Sequence, residues 1–437
     1  MAVIARVKVL WSVFLCLSSL LLVMNFSGTM WGKLDMGTIS LSSRLQQHQN
    51  LSSSDAVLER GDRLLTRAEH FLTSELSGPQ RNDTCSDPVT NFVFIKVHKT
   101  ASASTAVVLL RFAYKHHMIM CYPHTPWGIA GFRLTFPSTE IYKSNCSRWQ
   151  VLGDHFNFLV HHTIFNKSGM DAIMKPGTKY IGIMREPQSH IRSWFFYNRH
   201  HRIYKNQGHK NPLGEYLDNP EYFEDLASKR TRRTDIGVHD RNKQAFIMGF
   251  PPDLLNTQDT GIMDRAIWQL HQWYTFVIIS EYYEESLVML RRKMCWDLYD
   301  ILHSTKKIHE QHTPKKYIPF TDKQLANHKR INALDYRMYD FFNRTLWKSV
   351  EEEERGKGFW EEVAYFKALV ERVNTYCLTS KNERPMEVPS SKWNKPFSVD
   401  DNFCKGLSRT PKEWARRLFY QMARRDKIWK KSSLVVA

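Results

Sequence analysis

No C-x-x-C pair and no cluster of His and Cys at metal-ligand spacing occurs in these 437 residues, so there is no zinc site to read. No G-x-x-x-x-G-K-[ST] run occurs at the one loop that otherwise suits a phosphate. Residues 96–105 contain no glycine at all, which argues against an ATPase or kinase built on that loop. No internal repeat is visible, which sets repeat architectures aside. Acidic residues are short: 44 Asp and Glu face 62 Lys and Arg, for a net charge of +18. That surplus favours anionic partners (nucleic acid, anionic lipid, a nucleotide, acidic glycans) without choosing among them. With 42% hydrophobic and 24% charged residues the composition is globular, and the length suffices for one large domain or two smaller ones.

Charge is also missing at the start of the chain. Arg6 and Lys8 are followed by none from Val9 to Phe26. That run is near the lower limit for a membrane-spanning helix, and no clear small-x-small cleavage site follows it. With positive residues before the run and the bulk of the chain after it, the expected order is a cytosolic tail (1–8), a transmembrane signal anchor (9–26), a polar stem (27–88) and a lumenal domain (89–437). Acceptor sequons at Asn50, Asn82, Asn145, Asn166 and Asn343 agree with a lumenal location. Beyond the anchor lie Cys85, Cys121, Cys146, Cys295, Cys377 and Cys404. Six cysteines allow fifteen pairings, which spacing does not resolve; an oxidising lumen predicts some of them.

Periodicity improves after Asn91. "NFVFIKV" reads as a buried strand and "ASTAVVLLRFAYKHH" as the helix that follows. Residues 121–150 read as loops. "KYIGIMREP" is a second buried strand, closed by Pro187, with a helix after it; a third strand at 276–280 precedes a helix with Leu287, Leu290 and Met294 at helical spacing. Three strand–helix units predict an α/β fold with a parallel sheet flanked by helices. The C-terminal third reads as helical. Two helix starts carry capping boxes, Thr321/Gln324 and Thr410/Glu413. The last helix is strongly basic but carries Trp414, Leu418 and Met422 for packing on a core.

The loop after the first strand is basic and small: Lys99, Thr100, Ala101, Ser102, Ala103, Ser104. At a helix start it offers backbone N–H groups, hydroxyls and the positive dipole end to a phosphate, with Lys99 as a point charge. The second strand ends in Arg185, and Ser193 follows on the next helix; an arginine and a helix hydroxyl suit another phosphate. Two phosphate sites at the carboxyl ends of neighbouring strands fit a nucleotide phosphorylated at both ends of its ribose, as in 3′-phosphoadenosine 5′-phosphosulfate (PAPS).

"FIKVHKTASAST" resembles the 5′-phosphosulfate loop of the Golgi carbohydrate sulfotransferases, and "REPQSHIRS" resembles their 3′-phosphate motif. Within that group the chain is most similar to the galactose-3-O-sulfotransferases, which include cerebroside sulfotransferase. The likeness runs through "LLRFAYKHH", "FVIISEYYEESLVMLRRKMCWDLYDIL" and "INALDYRMYDFFNRTLWKSVE", across about residues 90–380. It implies a type II Golgi membrane protein with a sulfotransferase-type, P-loop-like fold. It also implies PAPS as donor and the 3-hydroxyl of a terminal β-galactose, on a glycolipid or glycoprotein glycan, as acceptor. Ala103 departs from the family loop, where a serine is usual. The form KTAS-x-S also resembles the loop of uronic acid 2-O-sulfotransferases, so a glycosaminoglycan acceptor is the alternative within the enzyme class. An inactive lumenal glycan-binding protein is the alternative outside it.

Sulfuryl transfer is an in-line displacement, so positioning and charge stabilisation carry most of the catalysis. The resemblance implies that Lys99 neutralises the leaving 5′-phosphate. Thr100, Ala101, Ser102, Ala103 and Ser104 hold the same group, and Arg185 and Ser193 hold the 3′-phosphate. It also implies His162 as general base, where the family has an asparagine–histidine pair; His161 stands in the asparagine's place. His98 is the second choice, followed by Glu140 and Asp154. Arg241, Asn242, Trp194, Phe195 and Tyr197 are acceptor-site candidates. The mechanism requires no metal, and no nucleic acid partner is expected.

Overall fold

The computed structural model describes residue 85, residues 87–122, residue 146, and residues 155–204, 209–231, 241–306, 318–356, 358–379 and 384–436. The expected tail, anchor and nearly all of the stem lie outside the described residues, as do Asn50, Asn82, Asn145, Glu140 and Asp154. No helix among the described residues is long and apolar enough to cross a membrane.

Four short strands form one parallel sheet. They are β1 (Phe92–Phe94), β2 (Phe158–Leu159), β3 (Lys179–Met184) and β4 (Phe276–Ile279), in the order β2-β1-β3-β4. Phe92 pairs with Phe158 on one side and Lys179 on the other, and Ile181 pairs with Phe276. A parallel sheet is covered on both faces, so its strands carry continuous apolar runs. Phe92 to Ile95 and Ile181 to Met184 are accordingly buried. The first strand is shorter than the run 91–97 suggests, although Ile95 N–H still donates to Ile181 O at 2.8 Å. Gly182 in β3 admits Met248 and the Tyr274 ring; a methyl there would lie 2.8 Å from Met248 Cε.

The principal helices are α1 (Ser102–Lys115), α2 (Pro187–Tyr197), α3 (Lys243–Ile247), α4 (Thr260–Trp273), α5 (Tyr283–Met294), α6 (Asp322–Ile331), α7 (Ala333–Glu354), α8 (Phe359–Thr379), α9 (Asp401–Ser408) and α10 (Pro411–Val436). Both expected capping boxes form, at Thr321/Gln324 and at Thr410/Glu413. α1 is buried on nearly every face because it lies between the sheet and α10. The basic α10 packs as its apolar stripe predicts: Trp414, Leu418 and Met422 are buried, and Gln421 Nε2 donates to Tyr114 O at the end of α1. The helical C-terminal third is interrupted by an antiparallel pair, Met386–Val388 with Phe397–Val399, that the sequence pattern did not announce.

The six cysteines pair as Cys85–Cys295, Cys121–Cys146 and Cys377–Cys404. Asn166 caps a short helix by accepting from Gly169 N–H and is partly exposed. Asn343 lies in the middle of α7, half-buried with its Oδ1 enclosed.

Candidate active site

β1 and β3 are neighbours in the sheet, so the two loops read as anion sites stand side by side at the strands' carboxyl ends. This is where open α/β sheets bind ligands.

The β1–α1 loop is bent without glycine. Lys99 and Ala101 both adopt left-handed backbone, at φ 61° and 60°. Side chains other than glycine rarely adopt this conformation, and each such residue costs about 1–3 kcal/mol, so the surroundings must hold it in place. Thr100 Oγ1 donates to Val97 O at 3.0 Å, and Ser102 Oγ donates to the same carbonyl. Ser280, just past β4, donates from one hydroxyl to Thr100 O and Met184 O, both at 2.8 Å. The hydroxyls of Thr100 and Ser102 therefore brace the loop. The groups left for an anion are the first backbone N–H groups of α1, which have no partner within a helix, the half-exposed Ser104, and Lys99. Lys99 Nζ lies 4.5 Å from the centre of the Tyr197 ring. Partial burial and the nearby Arg185 both lower the pKa of Lys99.

Arg185 faces this loop. Its Nη1 donates to Lys99 O at 3.2 Å, and its Nε lies 4.0 Å from Glu281 Oε1. Burial raises the pKa of the Glu281 carboxyl, which accepts from Glu186 N–H and Tyr339 OH. Ser193 is buried on α2 at 5% exposure and shares no hydrogen bond with Arg185 among the described residues.

Beside Lys99 is a packed group of histidines. The His98 and His162 rings stack at 3.8 Å, and His190 Nε2 donates to His98 O. His161 is fully buried and donates from Nε2 to Cys121 O at 2.8 Å. Burial keeps them neutral, taking His161 to about 4 and His190 to about 3 and holding His98 and His162 well below the usual range. His162 Nδ1 lies 2.9 Å from Lys96 O, and a carbonyl only accepts, so Nδ1 carries the proton. Nε2 thus holds the lone pair, and Lys96 Nζ donates to it at 2.6 Å. Lys96 is 7% exposed; burial, with Lys99 nearby, lowers its pKa to about 7.

Lys96 is the residue the sequence reading missed. The signal was present: a lysine inside an otherwise apolar strand run is rarely tolerated without a role. The acceptor candidates separate. Phe195 and Trp194 are core residues, while Tyr197 is exposed beside Lys99. Arg241 is held by Glu221 and Glu224, and Asn242 is buried in a helix-capping role.

A family model described as galactose-3-O-sulfotransferase matches residues 1–397. This chain belongs to the galactose-3-O-sulfotransferase family. The sulfotransferase is 27% identical over 292 residues to mouse galactose-3-O-sulfotransferase 2, covering 67% of this chain and 70% of the relative. It is 29% identical over 269 residues to bovine galactose-3-O-sulfotransferase 3, covering 59% and 57%. To mouse galactosylceramide sulfotransferase it is 26% identical over 293 residues, covering 67% and 64%. Family membership makes the chain a sulfotransferase.

Proposed function

We propose that this sulfotransferase moves the sulfuryl group of PAPS to the 3-hydroxyl of a terminal β-galactose on a glycolipid or glycoprotein glycan. The observation that carries the reading is the junction of the two anion loops. Arg185 bonds the carbonyl of Lys99, so the two loops meet, which supports a single ligand with two separated phosphates. The strained turn at Lys99 and Ala101 fits such a donor, because the helix starts directly after it and leaves the N–H groups of Ser102, Ala103 and Ser104 without helical partners, as an anion cradle requires. In this reading the sulfotransferase-type, P-loop-like character of the fold rests on that cradle.

The roles follow from the chemistry. The galactose hydroxyl gives up its proton, its oxygen bonds to sulfur, and the bond from sulfur to the bridging phosphate oxygen breaks. Lys99 and the α1 N–H groups offset the charge that gathers on the leaving 5′-phosphate. Arg185 holds the 3′-phosphate, with the buried Ser193 lining the helix behind it. His162 and Lys96 act as one base. Neutral Lys96 takes the proton at Nζ, and His162 Nε2, the weaker base of the two, accepts a hydrogen bond from the ammonium that forms. Exposed Tyr197 suits stacking on a sugar face.

We also propose that residues 9–26 anchor the chain in the Golgi membrane with the catalytic domain in the lumen. Three disulfides among the described residues support an oxidising compartment. The reaction is tested by giving the full chain labelled PAPS with galactosylceramide, lactosylceramide, galactose-terminated glycans, heparan and chondroitin, and mapping sulfate on the product. Sulfate at the galactose 3-position supports the reading. Sulfate on a uronic acid overturns the acceptor, and no product from any acceptor overturns the activity.

A further inference from the structure

Arg185 stands one residue beyond the last pair of β3 with β4, Met184 with Ile279. Its backbone is nevertheless fully bonded, and by a single side chain. Gln244 Oε1 accepts from Arg185 N–H at 2.8 Å, and Gln244 Nε2 donates to Arg185 O at 2.9 Å. A carboxamide carries the same donor and acceptor as a peptide unit, so Gln244 extends the sheet by one residue.

Gln244 is itself held with unusual care. It is fully buried in α3, a helix of five residues that is too short to be stiff alone. Asp335 of α7 caps α3: Oδ2 accepts from Gln244 N–H at 3.2 Å and Oδ1 from Ala245 N–H at 2.8 Å. Asn242 returns the contact, its Oδ1 accepting from Leu334 N–H at 3.0 Å and Asp335 N–H at 3.1 Å. Asn332 Oδ1 accepts from Asn242 N–H at 2.9 Å and closes the ring. Two helix starts thus cap each other inside the protein. Asn242 takes a left-handed backbone, φ 46°, that asparagine tolerates better than most residues. Burying a carboxylate is costly unless it is hydrogen-bonded, and apolar packing would join two helices more cheaply. What the polar arrangement adds is direction, and it ends on the backbone of Arg185. With N–H and C=O both fixed, the direction in which the Arg185 Cβ leaves the sheet is set before any ligand arrives.

We propose that Gln244, held by the reciprocal Asn242–Asp335 caps, is a positioning residue for the nucleotide site that aims Arg185 at the donor's 3′-phosphate. This rests on the reading of Arg185 given above, and the test separates the two. Gln244→Met keeps the length and burial of the side chain and removes both hydrogen bonds. Dissociation constants for adenosine 3′,5′-bisphosphate and adenosine 5′-phosphate are measured by calorimetry on the full chain and on the variants Gln244→Met, Arg185→Ala and their combination. Gln244→Met is expected to cut the preference for the bisphosphate by about tenfold or more, the worth of one hydrogen bond to a charged group, with little change for the 5′-phosphate. Arg185→Ala should abolish the preference, and the double variant should behave like Arg185→Ala alone. If Arg185→Ala keeps the preference, the reading of Arg185 fails and the proposal with it. If Arg185→Ala loses it while Gln244→Met does not, or if Gln244→Met weakens both nucleotides equally, the positioning role alone is overturned. Should Gln244→Met not fold, Gln244→Glu keeps the acceptor for Arg185 N–H but sets a carboxylate oxygen against Arg185 O, and the same comparisons apply.

Discussion

In the proposed mechanism a single lysine inside a buried strand run carries half of the base. Lys96 is held near neutrality by burial, and its Nζ sits on the lone pair of His162. If the pair is the base, it works only unprotonated. The uncharged fraction of Lys96 grows as pH rises through about 7, so activity should climb across that range. The acid limb of the kcat/KM profile should carry an apparent pKa near 7, and Lys96→Met should remove that limb along with most turnover. A profile flat from pH 6 to 8 would rule the pair out. In the proposed mechanism Lys99 has a different task, because its charge is placed on the leaving group. Lys99→Ala should lower kcat by about 10²–10³, the usual worth of one donor to developing charge, while the melting temperature holds. Near-normal turnover in a folded Lys99→Ala protein would remove its role. The histidine expected as base is in the pocket, but its partner could not be read from the chain, because Lys96 and His162 are 66 residues apart and meet only when β1 and β2 pair.

At the scale of elements, the long apolar and periodic runs were legible and the polar joints between them were not. β1, β3, β4 and the helices after them lie where the apolar runs and helical spacing put them, and both capping boxes form. β2 is only two residues long, and the pair Met386–Val388 with Phe397–Val399 is six residues in all, too short for periodicity to register. The joint between α5 and α8 is a buried ion cluster. Glu362 is 0% exposed and accepts from Arg291 Nη1 at 2.5 Å and Arg292 Nε at 2.7 Å. Removing Glu362 strands the Arg291 charge and leaves Arg292 only Glu353, so Glu362→Ala should cost about 3–5 kcal/mol. Urea unfolding measures this directly, and a loss below about 1 kcal/mol, the range of surface pairs, would mean that solvent reaches the cluster.

Across the whole molecule, disulfides tie distant segments together. Cys85–Cys295 spans 210 residues and fastens the segment just before β1 to the end of α5. Loss of a native disulfide commonly costs about 2–5 kcal/mol, so Cys85→Ser/Cys295→Ser should melt earlier than the parent by that equivalent. An unchanged melting temperature would mean that the bridge adds nothing. A chain held together this way suits an oxidising lumen, and the anchor proposed at 9–26 predicts that sealed Golgi vesicles protect the catalytic domain from added protease until detergent is supplied. Digestion without detergent would reverse the proposed orientation.

Taken alone, the sequence determined what local pattern can determine. Apolar runs and helical spacing set the α/β class. Small residues with Lys99 at a helix start, and Arg185 at a strand end, marked two candidate anion sites, and long matching segments indicated the family. The tertiary structure alone decided which of these meet and what holds them. It paired the six cysteines, turned the Thr100 and Ser102 hydroxyls inward onto Val97 O, joined Lys96 to His162, and set Gln244 against the backbone of Arg185. The physical reason is that periodicity and propensity act within a few residues along the chain. A hydrogen bond or disulfide between residues tens or hundreds of positions apart depends on strand order and helix packing, which no local pattern encodes.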